Sequence, residues 1–131
     1  MNKVIGGVTV EQEQILHGDH HIITGVKIAD ETAAFKAGTV LYADGGSYAP
    51  LAKDDSTHTP CAVAVDALEE KADGAVVAAC VHGAVRAEKL RYADGSDVTL
   101  STAEALGTRG IYAIAGDGFT GYASAASESG D

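Results

Sequence analysis

The tightest constraint on this chain is how little bulk it offers for a hydrophobic core. Hydrophobic residues make up 46% of the 131 positions, yet 24 of those 60 residues are alanine. Leu, Ile, Val and Phe together number 28, aromatics are 5% of the chain, and Trp is absent. The formal net charge is −10. Few bulky apolar side chains combined with high net charge place a sequence near the border of disorder. A domain of this length can bury a core, but here the core must be thin. Thin cores are often completed by other subunits or by a larger partner.

The same arithmetic narrows the class of partner. Nine Lys and Arg against 19 Asp and Glu argue against nucleic acid, because phosphate neutralisation needs clustered cations. An anionic membrane surface would also repel the chain. The longest strictly apolar run, Ala75 to Val81, is far short of the roughly 20 residues a spanning helix needs. No apolar h-region precedes Glu11, so no signal peptide is expected. Cys61 and Cys80 are too few for a disulfide scaffold and read as reduced, buried thiols in strand-like runs.

Local patterns predict a β-rich body between two atypical ends. Residues 1–19 lack a sustained period. Val8 and Val10 alternate with Thr9, and Ile15-Leu16 follow a polar stretch, which suits an extended arm that orders against something else. His21 to Ile28 is β-branched and reads as a strand with Ile22, Val26 and Ile28 on one face. Gly38 to Tyr42 is a strand, Asp44-Gly45-Gly46-Ser47 a turn, and Tyr48 to Leu51 a return strand that Pro50 assigns to an edge. Lys53 to Pro60 is loop. Cys61, Val63 and Val65 alternate with Ala62 and Ala64, predicting bulk on one side only. Ala75 to Val81 is the expected central buried strand, with Gly83 marking a bend before Ala84 to Tyr92. Ser101-Thr102-Ala103-Glu104 matches a capping box, so a short helix is predicted over about 102–106, with Ser101 as N-cap and Gly107 closing it. Arg109 to Ile114 is a last strand. Residues 115–131 are rich in Gly, Ser and Ala, with three acids and no base, a tail rather than a core element. Tyr-Ala-Asp-Gly occurs at 42–45 and 92–95; two copies with unmatched flanks do not make a solenoid.

Candidate chemistry is sparse. His17, Asp19, His20 and His21 form the only dense group of possible metal ligands. Neighbours on a strand face opposite ways, however, so His20 and His21 would diverge, and a polar loop explains the group. Cys80 and His82 could share a strand face as a thiol–imidazole pair. Their apolar neighbours favour a buried thiol beside a strand-end His. No nucleophile elbow, zinc-binding helix motif, phosphate loop or dinucleotide fingerprint is present.

The middle of the chain does carry a resemblance. Lys36-Ala37-Gly38-Thr39-Val40-Leu41, Gly46-Ser47-Tyr48-Ala49-Pro50-Leu51 and Pro60 to Leu68 follow one another in a characteristic order. Ala72 to Val77, Val81-His82-Gly83-Ala84-Val85, the short helix and Arg109-Gly110-Ile111 complete the series. This succession, over about residues 25–114, resembles the lambda-type head decoration proteins of tailed bacteriophages. The resemblance implies a mainly β, compact bent-ribbon or small barrel-like domain with one short helix. It would carry an extended N-terminal arm (1–19), a body (20–114) and a Gly/Ser/Ala-rich C-terminal tail (115–131).

It also implies a homotrimer on the outer surface of the virion capsid, made in the host cytoplasm. There it would bind the major capsid protein at local three-fold positions, without cofactor, metal or catalytic residues and without direct contact to nucleic acid or membrane. In this family the arm contacts the shell, often by adding a strand to it. The apolar residues of this chain's arm, Val4, Ile5, Val8, Val10, Ile15 and Leu16, are the expected contacts, since strand addition needs main-chain hydrogen bonds more than a side-chain code. Two rival readings are a carbohydrate-binding module using Tyr42, Tyr48, Tyr92 or Tyr112, and a small trimeric β enzyme using Asp19, His20 or Cys80.

Overall fold

A computed structural model describes residues 4–5, 8–18, 20–116 and 119–122. It is mainly β. Strands β1 (Val4–Ile5) and β2 (Val8–Thr9) pair with each other as a small antiparallel hairpin, followed by one helical turn, α1 (Val10–Glu13). The body comprises β3 (Ile22–Lys27), β4 (Val40–Asp44), β5 (Ser47–Pro50), β6 (Pro60–Ala64), β7 (Val76–Arg86), α2 (Leu100–Gly107) and β8 (Ile111–Ile114). The sheet order is β3-β7-β6-β4-β5, and β8 adds parallel to the far end of β7. The sheet does not close, although Ile28 bridges to Tyr48 and brings the end of β3 towards β5.

The turn between β4 and β5 forms where the sequence places it. Gly45 and Gly46 both take positive φ, 62° and 88°, the pairing that a two-residue type I′ hairpin requires. Pro50 lies in β5, the terminal strand of the order. The central strand β7 is longer than expected. Gly83 does not end it; the ladder runs on to Arg86, and the partners change there from β3 and β6 to β8 and residues 15–17. Gly83 adopts φ 128°, and a Cβ there would lie 2.6 Å from the His20 carbonyl oxygen. Glycine is needed because the loop entering β3 passes directly over it.

Both faces of the sheet are buried, and β6 carries its bulk on one side only, as its alternation predicts. Val63 and Val65 enter a core with Val40, Leu51, Val85, Leu90, Tyr92, Leu106 and Ile111. Ala62 and Ala64 enter a second core with Ile28, Phe35, Leu41, Leu68 and Val77. Helix α2 and β8 help to cover the first. The second lies under two connections that pair with each other, Phe35 with Leu68 through reciprocal hydrogen bonds of 3.0 and 2.9 Å, and Ala72 donating to Thr32 at 2.8 Å. Small side chains let these loops sit close to the sheet.

Four local expectations are corrected. The N-cap of α2 is Thr99, not Ser101: its side chain accepts from the Thr102 amide, so the helix starts earlier. Tyr92 fixes that cap, its hydroxyl lying 3.0 Å from Thr99 Oγ1 and 2.7 Å from Thr102 Oγ1. The C-cap is Thr108, and Gly107 is the last helical residue. Ile22 does not share the buried face of Val26 and Ile28. A bulge places Val81 between the partners of Ile22 and Ile23, and Ile22 is 57% exposed. Finally, Tyr122 packs against the first core, so part of the predicted tail belongs to the body.

Candidate interaction site

The N-terminal segment divides into two parts. Val4, Ile5, Val8 and Val10 belong to the hairpin and the first residue of α1, outside the six-stranded sheet. Ile15 and Leu16 do not lie on an extended arm: they are 4% and 2% exposed and sit in the first core. Residues 12–17 are stitched to the body. Gln12 Nε2 donates to both carboxylate oxygens of Asp66 at 3.0 and 3.1 Å. The His17 amide donates to the Ala84 carbonyl, the Arg86 amide to the Ile15 carbonyl, and Arg86 Nε to the Glu13 carbonyl. The pairing of Leu16 with Val85 continues the β3 side of β7. The body therefore begins at about Gln12 rather than at residue 20. Sequence gives little warning of this, because Ile15-Leu16 is an isolated apolar pair after a polar run.

The sheet also presents an edge. The Ile28 amide donates to Ala75, so by antiparallel alternation Val26 and Thr24 also face β7. The main-chain groups of Ile23, Gly25 and Lys27 point away from it. Close to this edge, Ile22 and Val76 are 57% and 67% exposed. The lysine in the edge is a common guard against indiscriminate pairing.

The other residues singled out from sequence lie apart. His17 and His21 are linked by a ring-to-carbonyl hydrogen bond of 3.2 Å, and Asp19 lies outside the described residues. Among the described residues no three His, Cys, Asp or Glu side chains gather as a metal site. The Cys80 thiol donates to the His82 main-chain carbonyl at 3.3 Å, not to its ring, and burial pushes its pKa up. Cys61 is raised for the same reason. These thiols are held in the protonated, less nucleophilic form.

Of the tyrosines, Tyr92 is buried, and Tyr42 stacks on His58 with ring centroids 3.9 Å apart. Tyr48 is half-buried in β5, and Tyr112 is exposed. They do not offer the row of free rings that sugar stacking requires. The Tyr42–His58 stack belongs to a turn within Lys53 to Pro60, a segment that the sequence marks only as loop. There Asp55 accepts from the His58 ring at 2.6 Å and from the Thr57 and His58 amides. The His58 ring, followed by those two amides, holds the Asp55 carboxyl well below the usual range.

Comparison of the chain with protein-family models, curated proteins and solved structures returned no match.

Proposed function

We propose that this chain is a capsid decoration protein, which binds the outside of a phage head as a homotrimer and braces its lattice against internal DNA pressure. The observation that carries this reading is the division of the N-terminus. Strands β1 and β2 stand outside the body's sheet, while residues 12–17 tie them to its central strand. Such a segment can pair its main chain with a shell protein without unfolding the body that holds it. The β-rich body, the order of strand-and-turn phrases in the sequence and the acidic surface support the same reading. Many modest contacts repeated over a lattice act together, so no single deep pocket is needed.

The test is to mix the protein with empty, expanded heads of its phage and count bound copies. Three per local three-fold position is the expected result, and no binding overturns the proposal. Deleting residues 1–9, which spares the Gln12–Asp66 latch and the buried Ile15-Leu16 pair, should abolish binding and leave a folded trimer. Saturation of heads by the shortened chain would remove the hairpin from the contact.

A further inference from the structure

A second site lies away from the hairpin, where the chain after β8 passes the short 3₁₀ turn Ala87–Lys89 that follows β7. A cleft of about 210 Å³ opens there between Glu88, Arg91, Asp97, Phe119 and Tyr122. Glu88 Oε1 is buried and has no hydrogen-bond partner among the described residues. The main chain at Gly116 lies against the same carboxylate, close enough that a Cβ there would sit 3.1 Å from Oε2. An unpaired carboxylate oxygen taken from water is costly and calls for a donor.

Arg91 does not supply it. Its Nη1 donates to the Glu88 and Leu90 carbonyls at 3.0 and 2.8 Å and pairs with Asp97 Oδ1 at 2.8 Å. With Arg91 and Asp97 matched, Glu88 is the one unmatched carboxylate among the described residues that line the cleft. The lining also includes aromatic rings: Phe119 and Tyr122 meet edge to face with centroids 5.1 Å apart. A divalent metal would need more oxygen ligands than a single unpaired carboxylate provides. An ammonium group suits both a carboxylate and a ring face.

We propose that this cleft binds a primary alkylammonium group, either that of a lysine side chain or that of a free diamine. The Glu88 carboxylate takes the charged nitrogen, and the Phe119 and Tyr122 rings cover its alkyl stem. The site is independent of the hairpin.

Titration of the full chain with Nα-acetyl-lysine amide and, separately, with 1,4-diaminobutane, at ionic strength matched with sodium chloride, tests this by NMR. Saturable shifts are expected at the Phe119 and Tyr122 rings and the Gly116 amide with at least one of the two amines. The lysine arm responding alone assigns the site to a protein partner, and the diamine arm responding alone assigns it to a small molecule. Glu88→Gln should weaken binding by about tenfold or more, since it removes a charge-assisted contact. Should that variant lose the native spectrum, Phe119→Leu reads the same cleft from its aromatic side and should weaken binding about threefold. Absence of saturable shifts, equal shifts from sodium chloride alone, or unchanged affinity in a folded Glu88→Gln protein would overturn the proposal. Deleting residues 1–9 should leave amine binding intact even where head binding is lost.

Discussion

The two faces of the sheet solve the same shortage of bulk in opposite ways. The first core gathers Leu, Ile and Val from nearly the whole length of the chain, from Ile15 to Ile111; among the described residues its buried members include no alanine, and Ala37, Ala78 and Ala113 only pack at its edge. The second draws four of its ten buried residues from alanine, at positions 62, 64, 72 and 79. One face is filled by large side chains meeting across a gap. On the other, the gap is narrowed until small side chains suffice, because the paired 28–39 and 65–75 connections lie close to the strands. A chain with 28 bulky residues can thus bury both sides of its sheet, because on the second side a few large side chains from the connections, Phe35 and Leu68, share the space with alanines.

That contrast predicts opposite vulnerabilities. Leu106→Ala, which empties a fully buried position of the first core, should cost about 3–4 kcal/mol of unfolding free energy in urea titration. Ala64→Leu in the second core should cost about 1–3 kcal/mol by overpacking, although it adds apolar area. If Ala64→Leu were neutral or stabilising, the second face would have slack and the contrast would fail.

How much of this was legible in the sequence depends on how local the signal is. The Asp44–Ser47 turn and the edge position of Pro50 rest on a few adjacent residues, and both are where the sequence puts them. The central strand was visible as an apolar run. Its extension through Gly83 was not, since it follows from a loop at His20 and His21 crossing over a residue far away in sequence. The capping box misled for a related reason: Ser101 has the right local chemistry, but Tyr92 reaches in from outside the helix and makes Thr99 the cap. Ile15 and Leu16 look like arm residues in the sequence because nothing near them marks burial. The Gln12–Asp66 latch that fixes them spans 54 positions. In the same way, the cleft at Glu88 joins residues around 88–97 to residues around 119–122, and no local pattern connects the two.

The duplicated Tyr-Ala-Asp-Gly sharpens the comparison at smaller scale. Tyr92 is buried, and its hydroxyl also accepts from the Thr99 amide at 3.1 Å, besides contacting the two threonine hydroxyls. Tyr42 is half-buried, with its ring against His58. Tyr92→Phe should therefore destabilise by about 1–2 kcal/mol, because it leaves buried partners of the helix cap unsatisfied. Tyr42→Phe keeps the ring and should change stability by less than about 0.5 kcal/mol. Thermal unfolding of the two variants side by side checks this, and equal losses would mean that the shared tetrapeptide, not its surroundings, sets the energetics.

The smallest effect is expected at the turn that carries the Tyr42 stack, and it is best read through pH. The Asp55 carboxyl sits below its ordinary value of 3.8 because its charged form accepts from the His58 ring and from two amides. A carboxyl lowered in the folded state stabilises that state fully above its unfolded value, and the contribution disappears as pH falls through the folded one. Asp55's contribution to the turn should therefore be constant from neutral pH down to about pH 5 and be lost only at more acid pH. Loosening of the turn should appear as loss of the ring-current shift between Tyr42 and His58 in NMR spectra, while the two cores stay folded. Asp55→Asn should remove the acid-induced step and leave the stack weakened at every pH. A step that survived in Asp55→Asn would have to come from another carboxyl. Asp94 is the first to examine, because Ser96 lowers it in the second Tyr-Ala-Asp-Gly turn by the same kind of hydrogen bonding. The Asp94→Asn protein would then separate the two turns, since only the first places an aromatic stack where the titration can be seen.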